Sequence, residues 1–318
     1  MRTKDRWNHL RDFAFNQLNV PFERCLEPNW QCERRAVRAH SIQNARVLEQ
    51  LAVDGHVVML SNTLGAGMLR IDFTHVGRNR ATTFTGLCDK HDHEIFKPID
   101  TSDIDLSDQE HLFLLAYRSI IRELHTTMEG ARRVQTVYRW RVDQGFSPKE
   151  APDNVGLFAI ERLTAAYDTY IYKRKYDEAF LGSSHDTIYH EVVNLGRGKP
   201  TIAVSALSSD ETVRTPNDVA RVAINVFPQG GEVYAVFSCL ASEQPCARAL
   251  FANVVSAAGE YQKYALSKLV LRCCENFVIS PAHFQTLDVG TRECIRQYFS
   301  KTIFENDPGT EDPRLYLF

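Results

Sequence analysis

Two short segments concentrate the residues that can do chemistry: CLEPNWQCERRAVRAHSIQ at 25–43 and FTGLCDKHDHEIF at 84–96. Zinc takes four ligands in a tetrahedron, usually delivered as two close pairs from separate stretches of chain. Cys88-x-x-His91 has the spacing of one such pair, because residues three apart share one side of a knuckle or of a helix's first turn. Cys25 and Cys32, with Pro28 in the loop between them, supply a second, wider pair. The expected centre is therefore Zn²⁺ on Cys25, Cys32, Cys88 and His91, with His40 as the alternative to Cys25. Such a site would hold together a stretch with little regular core, since coupled zinc binding supplies about 10–16 kcal/mol in small modules.

Around these ligands lie Arg34, Arg35, Arg38 and Arg46, a local basic group able to track a phosphate backbone. Its alternative is a solvated face. Arg132, Arg133, Arg139 and Arg141, interleaved with Tyr138 and Trp140, form a second group open to the same two readings. The other five of the eight cysteines (Cys239, Cys246, Cys273, Cys274, Cys294) sit in apolar patterns and read as small structural hydrophobes. His125 falls on an apolar helical face and reads as a packed histidine. GRGK at 196–199 lacks the spacing of a phosphate loop and reads as a hairpin turn.

These residues must be positioned by a small set of elements. An amphipathic helix is expected over 4–19, another over 41–53, and strands over 55–60 and 69–75, with Gly65 and Gly67 between the strands. Ser107 and Glu110 form a capping-box pattern for a long helix over 108–144, stopped by Gly145 and Pro148. A second helix over 155–180 completes a hairpin. From about 185 the period changes to two, with strands over 187–194, 200–207, 219–227 and 232–240. Helices over 244–274 and 290–302 and a loop-like tail close the chain. Segregated rather than alternating elements predict an α+β fold. Three domains are expected: a zinc-binding module over 1–105, a helical hairpin over 106–182 and an antiparallel sheet with helices over 183–318.

Composition narrows the function classes. With 44% apolar and 24% charged residues, the 318-residue chain has ordinary globular composition and length for a sizeable core. A net charge of -3 and a pI near 6.4 leave no global basic field, so any nucleic acid must be held by local patches. No apolar run reaches membrane-spanning length, and the polar start MRTKDRWNHL lacks a secretory apolar stretch. A cytoplasmic protein with reduced cysteines and no membrane partner is expected.

AHSIQN, the GHV strand, TFTGLCDKHDHEIFKPID and EHLFLLAYRSIIRELH together resemble a group of uncharacterised bacterial proteins with an N-terminal Cys/His module, over roughly residues 25–145. More distantly, the order of knuckle, histidine, strand pair and Cys-bearing helix resembles the treble-clef arrangement of HNH nucleases. That resemblance implies His40 as general base and Asp92 as ligand of a catalytic Mg²⁺ or Mn²⁺. It departs from the pattern in its Cys-His second pair, its longer gap, and a middle asparagine for which Asn62 and Asn79 are candidates. The implied function is a divalent-metal-dependent nuclease, by analogy a defence or toxin effector. The alternative is a non-enzymatic zinc-containing binding or sensor protein, or a subunit working through a protein partner or a homo-oligomer.

Overall fold

The computed structural model describes residues 12–13, 16–17, 20–65, 68–215, 219–305 and 311–318; the helix expected over 4–19 lies almost wholly outside the described residues. The fold is α+β with antiparallel sheets, and the chain divides into two compact units. The first comprises Met1–Ala39, Phe84–His93 and Ile120–Ser183; the second comprises His40–Thr83, Glu94–Ser119 and Ser184–Phe318.

In the first unit, a loop through residues 25–32 leads to β1 (Val37–His40), which pairs with β4 (Thr83–Leu87) in a two-stranded sheet. Cys88 follows β4 directly, and α1 (Asp89–Thr101) starts there. The unit also holds the C-terminal part of α2 (Gln109–Asp143) and all of α3 (Asn154–Leu181). α2 stops as its sequence predicts. Gly145 takes φ +70°, which glycine adopts without a Cβ penalty, and the Phe146 N–H reaches the Arg141 carbonyl at 2.8 Å. Asp153 caps α3 by accepting the Val155 and Gly156 N–H groups at 3.1 and 3.0 Å.

The second unit is a seven-stranded antiparallel sheet. With β2 (His56–Gly65), β3 (Met68–Gly77), β5 (Ile188–Arg197), β6 (Ile202–Arg214), β7 (Val219–Gln229), β8 (Glu232–Leu240) and β9 (Phe277–Ile279), its order is β3-β2-β9-β6-β7-β8-β5. Val204, Ile224, Val226 and Phe237 pack into the core with α4 (Gln244–Ser256), α5 (Gly259–Cys273) and α6 (Val289–Glu305). Phe237 stacks on Phe251 at 4.7 Å. The alternate positions Ser205 and Asn225 point to the other face, where Ser119 of α2 meets them at 2.9 and 3.1 Å. Cys239 and Cys274 lie within this core and Cys246, Cys273 and Cys294 pack against it, as small hydrophobes.

Several expectations change. The hairpin β2–β3, expected within the 1–105 module, belongs to the sheet of the second unit. A lone hairpin is marginal in water, and Val58 gains a partner in Ile279 across three-residue β9, which also pairs with β6. The 41–53 helix shrinks to turns at Asn44–Leu48 and Glu49–Leu51. The expected Ser107 cap is taken by Asp108, whose carboxylate accepts the Glu110 N–H at 2.8 Å. The 196–199 segment is no hairpin turn: it links β5 to β6, which are not neighbours, because β5 pairs with β8 in Greek-key order. The 244–274 helix is broken before Gly259, whose φ is +58°. The tail is not a free loop, since Leu315 and Leu317 are fully buried. Among the described residues, no helix is long and apolar enough to cross a membrane.

Candidate metal centre

The four cysteine and histidine side chains singled out by spacing come together in the first unit, and their ligand atoms all lie within 4.8 Å of one another. Cys25 Sγ and Cys88 Sγ are each 3.4 Å from His91 Nδ1, and Cys32 Sγ is 3.8 Å from Cys88 Sγ. This cluster could hold a metal ion. Cys25 and Cys88 are buried, whereas Cys32 and His91 are partly exposed. His40, the alternative to Cys25, is not in the cluster.

Each half of the site has a local cause. Cys88 and His91 fall on the first turn of α1, where the Asp92 N–H donates to the Cys88 carbonyl at 2.9 Å. The other half is folded by Glu27, which the spacing argument overlooks. Its buried carboxylate accepts the N–H groups of Asn29 at 2.7 Å, Gln31 at 2.5 Å and Cys32 at 3.1 Å. Burial alone would raise the Glu27 carboxyl, but these three donors bring it below its ordinary value. An acid two residues after Cys25, beside Pro28, was the available signal. The two halves also join through backbone: the Leu26 N–H donates to Gly86 O at 2.8 Å, and the Cys88 N–H donates to Cys25 Sγ at 3.3 Å. Burial pushes the Cys25 thiol up to about 12, so a thiolate there calls for a compensating positive charge.

Trp30 fixes the loop to α3. Its backbone sits at φ +61°, uncommon for so bulky a residue. The indole N–H donates to Asp177 Oδ2 at 3.2 Å, its ring meets Tyr170 edge-on at 5.0 Å, and Lys173 Nζ lies 5.2 Å from its centroid. Lys173 and Asp177 form a wholly buried ion pair one helical turn apart. Burial lowers the Lys173 pKa, opposed by the charge and hydrogen bond of Asp177.

The remaining predicted residues have separate settings. His40 ends β1 and belongs to the second unit, where its Nε2 lies 3.0 Å from the Arg78 carbonyl. Asp92 is in the first turn of α1 and belongs to the first unit. Arg34 pairs with Asp89 at 3.0 Å, Arg35 pairs with Glu23, and Arg46 pairs with Asp103 at 2.5 Å; Arg38 is exposed. Asn79 accepts from Asn44 Nδ2 at 2.9 Å. In the second arginine group, Arg133 pairs with Glu129 and Arg141 with Asp153. His125 is a packed histidine, with Nε2 2.9 Å from both the Phe22 carbonyl and Thr85 Oγ1, and burial lowers its pKa.

No family model, curated protein or solved structure matches the chain.

Proposed function

We propose that Cys25, Cys32, Cys88 and His91 bind one structural zinc ion, and that the chain is a zinc-stapled binding or sensor protein rather than one whose zinc does the chemistry. The spacing of the four ligand atoms carries this reading. Zn–S bonds of about 2.3 Å and a Zn–N bond of about 2.0–2.1 Å give tetrahedral edges of about 3.8 Å between sulfurs and about 3.6 Å between sulfur and nitrogen. One sulfur–sulfur separation is 3.8 Å, two sulfur–nitrogen separations are 3.4 Å, and all six lie within 4.8 Å. Three thiolates and an imidazole fill all four positions of a tetrahedral ion, which marks a closed, structural site. The loop through residues 25–32 supplies Cys25 and Cys32, and the start of α1 supplies Cys88 and His91.

Metal analysis of the purified chain tests this. The expected result is one zinc per chain, and, after exchange with Co²⁺, the visible bands of a tetrahedral ion with thiolate charge transfer. A chain that takes up neither ion at one equivalent contradicts it.

A second reading, a metal-dependent nuclease, is favoured by the His40 contact. The Arg78 carbonyl accepts from Nε2 and orients the ring. Against a phosphate-tracking surface, Arg34, Arg35 and Arg46 are already ion-paired. Plasmid DNA and structured RNA incubated with Mg²⁺ or Mn²⁺ decide this reading: cutting by the wild-type chain that is lost in folded, zinc-loaded His40→Ala establishes it, and no cutting by either removes it.

A further inference from the structure

The outer face of α3 is apolar where a surface helix is normally polar. The face turned inward carries small residues, Gly156, Ala159, Ala166 and Thr169, all buried. At Gly156 a Cβ would stand 2.7 Å from both Tyr138 Cζ and Pro152 Cβ, so the helix lies close against its neighbours. The large side chains point the other way. Leu157 is 55% exposed, Ile160 54%, Leu163 52%, Tyr167 59% and Ile171 41%.

Positions 157, 160, 167 and 171 recur at helical spacing and form one stripe about 21 Å long. Together these five side chains leave roughly 550 Å² open, near the upper end of what a monomer's largest apolar patch usually reaches.

We propose that this stripe is a homodimer interface, in which two copies of α3 lie antiparallel about a two-fold axis near Thr164. The spacing is nearly palindromic about that exposed threonine. Leu157 of one copy falls opposite Ile171 of the other, and Ile160 falls opposite Tyr167, so the same patch serves both sides. A small residue at the axis lets the helices approach. The area also fits: two such stripes bury roughly 1,100 Å², above the roughly 1,000 Å² that a biological interface needs. Two helical hairpins joined in this way form an antiparallel four-helix arrangement, which covers a face that one hairpin leaves open. An unrelated partner would require no palindrome.

Sedimentation equilibrium of the full chain over a range of concentrations tests the proposal. The wild-type chain is expected to be a dimer that dissociates on dilution. Ile160→Glu is expected to raise the dissociation constant at least about tenfold with an unchanged circular dichroism spectrum, because the side chain is exposed. Tyr261→Glu, at a residue 82% exposed in the second unit, is the control and leaves dimerisation unchanged. Leu157→Lys weakens the dimer, and adding Ile171→Glu restores part of the loss, since antiparallel pairing sets the two new charges opposite each other. A wild-type chain monomeric up to about 1 mM, or Ile160→Glu with wild-type affinity, overturns the interface. Equal loss in Tyr261→Glu overturns it too, and absence of rescue in the double variant overturns the antiparallel geometry.

Discussion

The two units are held together by different means. The second is a seven-stranded sheet whose core runs from Val58 and Ile71 through Val204, Ile224 and Phe237 to Leu315 and Leu317. Packing of that kind needs no cofactor and tolerates the loss of one contact. The first has a two-stranded sheet, a loop folded around one carboxylate, and a buried ion pair on α3. On the zinc proposal its integrity passes through four ligand atoms and a few buried polar bonds. Such bonds are costly to leave half made, so the first unit should fail through single side chains, whereas the second fails through loss of volume.

The sharpest way to break this contrast is Cys88→Ser. Removing a ligand from a closed site is expected to cost on the order of several kcal/mol in the first unit and to leave the second unit's melting transition in place, as followed by calorimetry. Next in size is Lys173→Met, which strands Asp177 in the interior. The expected loss is about 3–5 kcal/mol in denaturant titrations, and Lys173→Met with Asp177→Leu should recover much of it by removing both charges.

The second unit has a polar weakness of its own. His190 lies 2.8 Å from Ser238 Oγ through Nδ1, and burial holds its pKa at about 4, below the 6.5 of an unfolded histidine. Between those two values the unfolded chain binds a proton that the folded chain does not. Stability should therefore be full above about pH 6.5 and fall as the pH drops toward about 4, by at most about 3 kcal/mol. Urea melts of the wild-type chain and of His190→Gln across that range check this, and the variant should lose the slope. The smallest expected effect is at Glu27. Glu27→Gln keeps the shape but weakens the carboxylate's bonds to the Asn29, Gln31 and Cys32 N–H groups, so zinc affinity should drop about 10–100-fold in competition with a chromogenic chelator.

How much of this was legible in the sequence follows how local each feature is. Cys88-x-x-His91 is a spacing within one helical turn, and it reads directly. α2 is long and periodic, and its end is marked by Gly145. The ladder of β6, β7 and β8 follows from its period of two. Non-local features were not legible. Three-residue β9 joins β2 to β6, and its Val58↔Ile279 pair spans most of the chain. That pairing moves the β2–β3 hairpin into the sheet of the second unit. The same holds for β5, whose place beside β8 depends on pairing that the segment at 196–199 does not encode. Among site residues, the arginines looked cationic because Glu23, Asp89 and Asp103, which pair with them, lie in other parts of the sequence. Glu27 looked like an ordinary loop acid because its three bonds are to backbone, which no side-chain pattern announces.

The central claim, that the first unit depends on a bound metal and the second does not, is tested most directly by hydrogen exchange of the full chain with and without a strong zinc chelator. The account predicts that chelation removes protection from the backbone around Leu26, Cys32 and Cys88 and along α3, while β6, β7 and β8 keep theirs. Protection unchanged throughout, or lost equally in both units, would contradict it.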